Sequence, residues 1–474
     1  MAQSSTAITA PAVPRNAIVT AIVLLVGGLA VIFDSTIMSI ALKTLAVDLA
    51  VPVSTIQWVT TGYLLALGVA IPVVGWAQAR LGGKRLWMIA LTIFGIASIA
   101  CSLAGDAPSL IAFRVVQGIG GGLMMPLMAT LAIQQVPGGV ALGRLMAMIS
   151  LPAALGPILG PTIGGLILNY LDWRWIFWVN VPFCLVGLAL AWRLIPSDPP
   201  RGKPILDWVG VLLVSPALVG MLYGLSNVSH DGGFTRLDVW APVVGGAMLL
   251  VAFLITQLRR PEAALVDVSL LRRRSVASST AVLFLSGASL YGAMLLLPLF
   301  FQVVRGADAL TAALLLIPQG VGALLSRSLA GKLTDAVGAR VVAIGGFVVM
   351  GLGTIPFAMA GADTGQWWLM AVLLVRGFGM GAVMIPVMSV GFVGLERDEV
   401  PHASIITRLA QQLGGAFGTA VLAVILEGAV NGADGVAAIA QGFGTAFWWA
   451  VGFTVVAIGV CFALPAKPVT SPVD

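Results

Sequence analysis

Charge is what this sequence has least of. Lys, Arg, Asp and Glu together make up 9% of 474 residues, where a soluble domain carries about a quarter. Such a chain cannot solvate its own surface, so a soluble enzyme or binding module is excluded and lipid is left as the main solvent. Histidine is nearly absent, with His230 and His402 alone, and no H-x-x-x-H occurs. The three cysteines, Cys101, Cys184 and Cys461, lie singly inside apolar runs and form no C-x-x-C. They read as small core hydrophobes, not as a disulfide or zinc set, and no metal or cofactor is expected. No GxxxxGK[ST] phosphate loop is present, so ATP is not the expected energy source. Clustered His, Asp or Ser groups of the kind an enzyme needs are also missing. The net charge of +6 invites a nucleic-acid reading. The cations are spread over many short loops, however, as the positive-inside rule would place them, and no nucleic-acid partner is expected.

What is present is apolar, at 59% of the chain. Fourteen runs of spanning length follow one another, from 17–42 through 109–133 and 141–168 to 443–463. Each is continuous for about 20 residues instead of alternating in blocks of about 10, which predicts helices and not a β-barrel. The expected fold class is therefore an all-α polytopic membrane protein. MAQSSTAITAPAVPR runs straight into the first apolar run, which is too long for a signal peptide and reads as an uncleaved first helix. An even count puts both termini on one side. Eighteen cations, Arg408 among them, fall on that side and four on the other, which predicts cytoplasmic termini. Trp173, Trp175 and Trp178, Trp367 and Trp368, and Trp448 and Trp449 sit at run boundaries, as an interfacial belt would.

Two pairs of stretches resemble one another across a long gap. GWAQARLGGKR (75–85) pairs with GKLTDAVGAR (331–340), and RVVQGIGGGLMMPLM (114–128) with LLVRGFGMGAVMIPVM (373–388). Paired helical halves are a signature of secondary transporters, whose substrate site lies between the repeats. The chain divides on this reading into a six-helix bundle over 1–195, two inserted helices with linkers over 196–274, and a second six-helix bundle over 275–474.

The runs also hold ionisable residues. Asp34 is the carboxylate well inside a span, and a charge there costs roughly 2.5–3.5 kcal/mol on insertion scales, so it is a functional candidate by default. Counting from the run ends puts Asp34 and Arg114 at similar depth, with Gln117 one turn further on. Arginine stays protonated, so any titrating partner is the carboxylate. Arg376 is deep and should face a cavity or a polar partner; Arg327 is nearer the end bearing the termini and is expected to snorkel. Three buried arginines against one aspartate disfavour dications as substrates. Gly156, Pro157, Gly160, Pro161 and Gly164 recur at four-residue spacing and form a smooth stripe, either a hinge and sliding surface or tight packing alone. Trp58, Tyr63, Met124, Met125, Tyr291, Gln302, Gln319, Arg376 and Gln411 are candidates to line a substrate cavity.

Several stretches, in order, resemble the major facilitator superfamily, specifically its fourteen-helix drug/proton antiporter branch: FDSTIMSIAL (33–42), QWVTTGYLLALG (57–68), Arg114, Gln117 and Gly118, GPILGPTIGG (156–165), DWRWIFWVNVP (172–182) and RLAQQLGGAFG (408–418). The resemblance implies neighbouring first and fourth helices and proton coupling through Asp34, Arg114 and Gln117. It implies gating through Gly75, Gly82, Arg85, Asp335 and Arg340, and alternating access that exports hydrophobic or amphipathic compounds against protons. The branch has an acid where this chain has Ala79, so a cytoplasmic latch is expected to lean on the C-terminal half or on cations such as Arg80. The expected partners are a small amphipathic substrate, protons and lipid, with a periplasmic adaptor as a candidate, for a monomer in a bacterial inner membrane. A dedicated exporter of one natural product or lipid-like metabolite is the alternative, and a non-transporting receptor or scaffold a further one.

Overall fold

The computed structural model describes residues 14–51, 53–135, 145, 151–198, 206–227, 236–260, 265–396, 398–430 and 432–466. Arg144, Arg201, Lys203, His230, Arg397 and Lys467, most of 141–150 in the fifth run, and the side chains of Lys43, Pro157 and Pro161 lie outside the described residues.

All described regular structure is helical. The first six spans are α1 (Arg15–Asp48), α2 (Val53–Ala70, carried on by Val74–Leu81), α3 (Gly83–Ser102), α4 (Ala107–Ile133), α5 (Leu151–Tyr170) and α6 (Asn180–Leu194, after the turn Trp175–Trp178). The inserted pair is α7 (Trp208–Ser226) and α8 (Leu237–Arg259). The last six are α9 (Arg274–Leu299), α10 (Ile317–Val337, after Ala309–Leu315), α11 (Ala339–Leu352, carried on by Ile355–Ala358), α12 (Gln366–Gly391), α13 (Glu399–Val430) and α14 (Val436–Cys461). Thirteen of these are long and apolar enough to cross a membrane among the described residues, and α5 supplies the fourteenth helix. Hydrocarbon offers no partner to the backbone, so each span closes its own hydrogen bonds.

The helix boundaries carry local chemistry. Asp106 caps α4 by accepting from the Ser109 amide at 2.8 Å, and Asp308 accepts from the Thr311 amide at 2.8 Å. In both, hydrogen bonds to the ionised form, from the Ser109 or Thr311 hydroxyl first and then the amide, hold the carboxyl below its usual range. Gly82 and Gly338 occupy matching places in the two loop repeats. Both have positive φ, 80° and 91°, which lets a sharp turn separate consecutive helices where a side chain would be strained.

Helices α1–α6 pack into one bundle and α9–α14 into another, and the α7–α8 hairpin leans on α2 and α13. The bundles meet along α5 with α10 and along α4 with α13. Among the described residues, one apolar core cluster is shared by the two bundles. At the face bearing the termini, a single cluster runs from Ala17 and Leu131 through Val214 and Phe253 of the insert to Ala403 and Ile405. At the opposite face the two bundles keep separate clusters, one around Phe33, Ile37 and Trp173 and one around Phe300, Phe357 and Phe447.

Two arginines depart from the sequence-based expectation. Arg408 is not a loop cation but lies well inside α13, half-buried. Arg327 does not snorkel; its side chain is buried within the helices.

Candidate functional site

The polar network of the first bundle is built on four helices. Asp34 on α1 receives three N–H donors: Arg114 Nη1 at 2.5 Å, Gln117 Nε2 at 3.0 Å and Asn180 Nδ2 at 3.0 Å. Arg114 and Gln117 are one turn apart on α4, so a single helix face presents both, and Arg114 Nη1 also donates to Gln117 Oε1 at 2.8 Å. Ser98 on α3 closes the ring. Its Oγ accepts from Gln117 Nε2 at 3.2 Å and Asn180 Nδ2 at 3.1 Å, and donates to the Phe177 carbonyl at 2.9 Å. Arg114 Nε donates to the Val59 carbonyl at 3.1 Å, and its guanidinium lies 4.2 Å from the Tyr63 ring centroid. Asp34, Arg114, Gln117, Ser98 and Asn180 are all fully buried.

Among the described residues, Asp34 is the one buried carboxylate. An ionised carboxylate is acceptor-only, and three aimed donors match that form. Protonation would turn one oxygen into a donor with no fitting partner in the present arrangement. Asn180 Oδ1 is buried beside it and unbonded, so turning that amide supplies the acceptor a protonated Asp34 needs.

Between the bundles lies a cavity of about 450 Å³. Its lining includes Val31, Ser35 and Thr36 of α1, Thr60 and Tyr63 of α2, Arg114 and Met125 of α4, Tyr291 of α9, and Arg408 and Gln411 of α13. Arg114 and Tyr63 thus belong to both the network and the cavity wall, while Asp34 sits behind them. The cavity is shut off at the face bearing the termini. There Ser404 Oγ donates to the Pro126 carbonyl across the bundles at 3.0 Å, and a Cβ at Gly75 would touch Ile405 and His402 at 3.5 and 3.7 Å. The inserted α7 contributes Leu222 and Leu225 to the wall. These two leucines and Ser98 carry no sequence signal that singles them out, and Asn180 lies within DWRWIFWVNVP without being marked there as a site residue. A Leu among leucines and small polar residues in apolar runs look like ordinary helix positions.

Of the sequence-based cavity candidates, Tyr63, Met125, Tyr291 and Gln411 line it and five others lie elsewhere. Trp58 stacks on Tyr223 of the insert with ring centroids 5.6 Å apart, because α7 covers that face of α2. Met124 is one residue round the helix from Met125 and points into the bundle core. A π-turn at Phe300–Val304 drives Phe300 and Phe301 inward and leaves Gln302 exposed. Gln319 and Arg376 bond each other at 2.8 Å inside the second bundle, where Arg376 Nε also donates to Thr354 Oγ1 at 3.1 Å.

The gating candidates form two groups. The glycine stripe of α5 faces α1: a Cβ at Gly156 would collide with Ile32, at Gly160 with Thr36, and at Gly164 with Ile37. Gly165 faces Leu310 of the other bundle. At the first loop repeat, Asp198 after α6 accepts from the Gly83 and Lys84 amides at 2.7 and 3.1 Å, so an acid outside the repeat braces the N-terminus of α3. Arg85 and Asp335 are exposed. Arg80 lies over the Trp76 ring at 5.6 Å, and Arg340 Nε donates to the Leu464 carbonyl at 2.7 Å.

Two helical bundles facing each other across a cavity, with a buried charge network in one, are the architecture of a secondary transporter. Residues 24–419 match the Major Facilitator Superfamily, and the chain belongs to that family. It is 35% identical over 395 residues to the multidrug resistance protein B homolog of Mycobacterium tuberculosis strain H37Rv, covering 83% of this chain and 73% of that protein. It is 29% identical over 403 residues to the lincomycin resistance protein LmrB of Listeria innocua, covering 85% of each. In fold it is similar to the proton:xylose symporter XylE, with a TM-score of 0.64 at 17% identity over 93% of this chain and 96% of that one. The chain is a multi-pass membrane transporter whose family and neighbours are transporters and not enzymes.

Proposed function

We propose that the chain is a proton-coupled antiporter that exports hydrophobic or amphipathic compounds from a bacterial cytoplasm by alternating access, with both termini cytoplasmic. The observation that carries this reading is Asp34, the one buried carboxylate among the described residues, bonded to Arg114, which itself lines the cavity. Proton uptake at Asp34 removes the charge that holds Arg114 Nη1, Gln117 and Asn180 in place. Arg114 cannot lose its own proton, so it re-aims at the cavity wall. The network thereby reports the protonation state of α1 to the surface that touches substrate.

The cycle follows from which face is shut. With the apolar core continuous at the cytoplasmic face, the described state is sealed inward. A proton arriving from outside loads Asp34, the bundles rock about the α5–α10 seam so that the α4–α13 closure parts, and release to the cytoplasm restores the Asp34–Arg114 bond. Each charge moved inward gains about 2.3 kcal/mol per 100 mV. The names of the relatives at 29–35% identity support drug-like cargo.

The test is substrate efflux from proteoliposomes with and without an imposed pH gradient, comparing the parent with Asp34→Asn. Gradient stimulation should disappear in the variant while gradient-free exchange persists. Equal stimulation in both would remove Asp34 from the mechanism.

A further inference from the structure

The cavity holds a surplus of hydrogen-bond donors. Arg408 reaches into it from α13 with two bonds: Nη1 to Gln411 Oε1 at 3.0 Å, and Nη2 to the Met125 thioether across the bundle seam at 3.1 Å. A thioether is a weak acceptor for a guanidinium. Arg408 Nε is buried with no protein acceptor. The same holds for Arg114 Nη2 and the Tyr63 hydroxyl, whose side chains are 0% and 1% exposed and line the same cavity. Among the described residues no carboxylate lines the cavity. Asp34 lies behind Arg114 and offsets that cation, so Arg408 is the cavity's uncompensated charge. The lining also includes the apolar side chains Leu222, Leu225, Leu290 and Met294.

We infer that the cavity selects amphipathic organic anions, with Arg408 receiving a carboxylate or similar oxyanion and the leucine and methionine wall receiving the apolar body. A guanidinium fork matches an oxyanion in geometry and charge, and the bond is stronger than any Arg408 now makes. Occupancy replaces the weak Met125 contact, so the ligand loosens one of the ties between α4 and α13. The inference rests on the cavity being the substrate site, as proposed above, but not on proton coupling.

Three probes with one apolar body separate charge from hydrophobicity: 1-pyrenebutyrate, its methyl ester and 1-pyrenebutylamine. Their equilibrium binding to the full chain in nanodiscs is read by pyrene fluorescence at fixed pH with no gradient. The parent should bind the acid at least tenfold tighter than the ester and the amine. Arg408→Gln should remove that preference while ester affinity stays within about twofold, and Arg408→Lys should keep part of it. Equal or tighter binding of the amine by the parent overturns the inference. So does a preference for the acid that survives Arg408→Gln, or a loss of all three probes together in both variants. A failure of gradient-driven efflux with this binding intact would sink the antiport reading and leave the anion site standing.

Discussion

Arg114 in α4 and Arg376 in α12 both lie buried in the paired repeats, with Arg376 one turn further along, at the place Gln117 holds in the first repeat. Their surroundings differ. Arg114 meets a carboxylate, the Gln117 side-chain amide, the Val59 carbonyl and an aromatic face. Among the described residues, Arg376 bonds the neutral Gln319 and Thr354. One bundle therefore pairs its cation with a carboxylate, the group a proton would neutralise in the proposed cycle, and the other holds its cation with neutral dipoles. Each repeat carries one deep arginine, offset by a turn in register, and only the one in α4 has an acid beside it among the described residues.

The largest effect should come from breaking the charged pair. Arg114→Met leaves Asp34 buried without its cation, which should cost about 3–5 kcal/mol and abolish gradient-driven transport. Arg376→Met leaves no opposing charge behind, and should cost about 1–3 kcal/mol through the unbonded Gln319 and Thr354 with gradient dependence retained. Denaturant melts and proteoliposome flux on the two variants check both halves of the comparison. Comparable losses of coupling in the two would contradict the asymmetry.

A smaller effect separates the glycines of the two bundles. Gly160→Ala pushes a methyl group into Thr36 on α1 and should cost about 1–3 kcal/mol. Gly345→Ala on α11 meets nothing within 4 Å and should stay within about 0.5 kcal/mol. Thermal unfolding of the pair reads the difference. Smallest of all, Asp106→Ala and Asp308→Ala each remove one exposed helix cap. Both carboxyls are held below their usual range in the folded chain. Their contribution is thus present above the usual carboxylate range and fades as pH falls through the folded value. Amide exchange at Ser109 and Thr311 should quicken by a similar small factor in the two bundles.

Much of this architecture is legible in the sequence, because lipid enforces it. Apolar run length determines the spans, and counting depth along α1 and α4 puts Asp34 level with Arg114. What is illegible depends on rotation about helices that are apolar all round. Nothing in the sequence distinguishes Met125, which faces the cavity, from Met124, which does not. Ser98 and Asn180 are brought to Asp34 only by the packing of α3 and α6. Loop position misleads for Arg408, because α13 begins several residues earlier than its apolar run. The contribution of α7 to the cavity wall depends on where a hairpin docks, which hydropathy does not encode.

The central claim is that Asp34 exchanges a proton while the bundles exchange faces. Infrared difference spectroscopy of the parent and Asp34→Asn in lipid, across a pH step and with substrate present, reads it directly. A protonated-carboxyl stretch should grow as pH falls in the parent, shrink on substrate binding, and be missing from Asp34→Asn. A parent spectrum without that stretch at any pH at which transport runs would contradict the account.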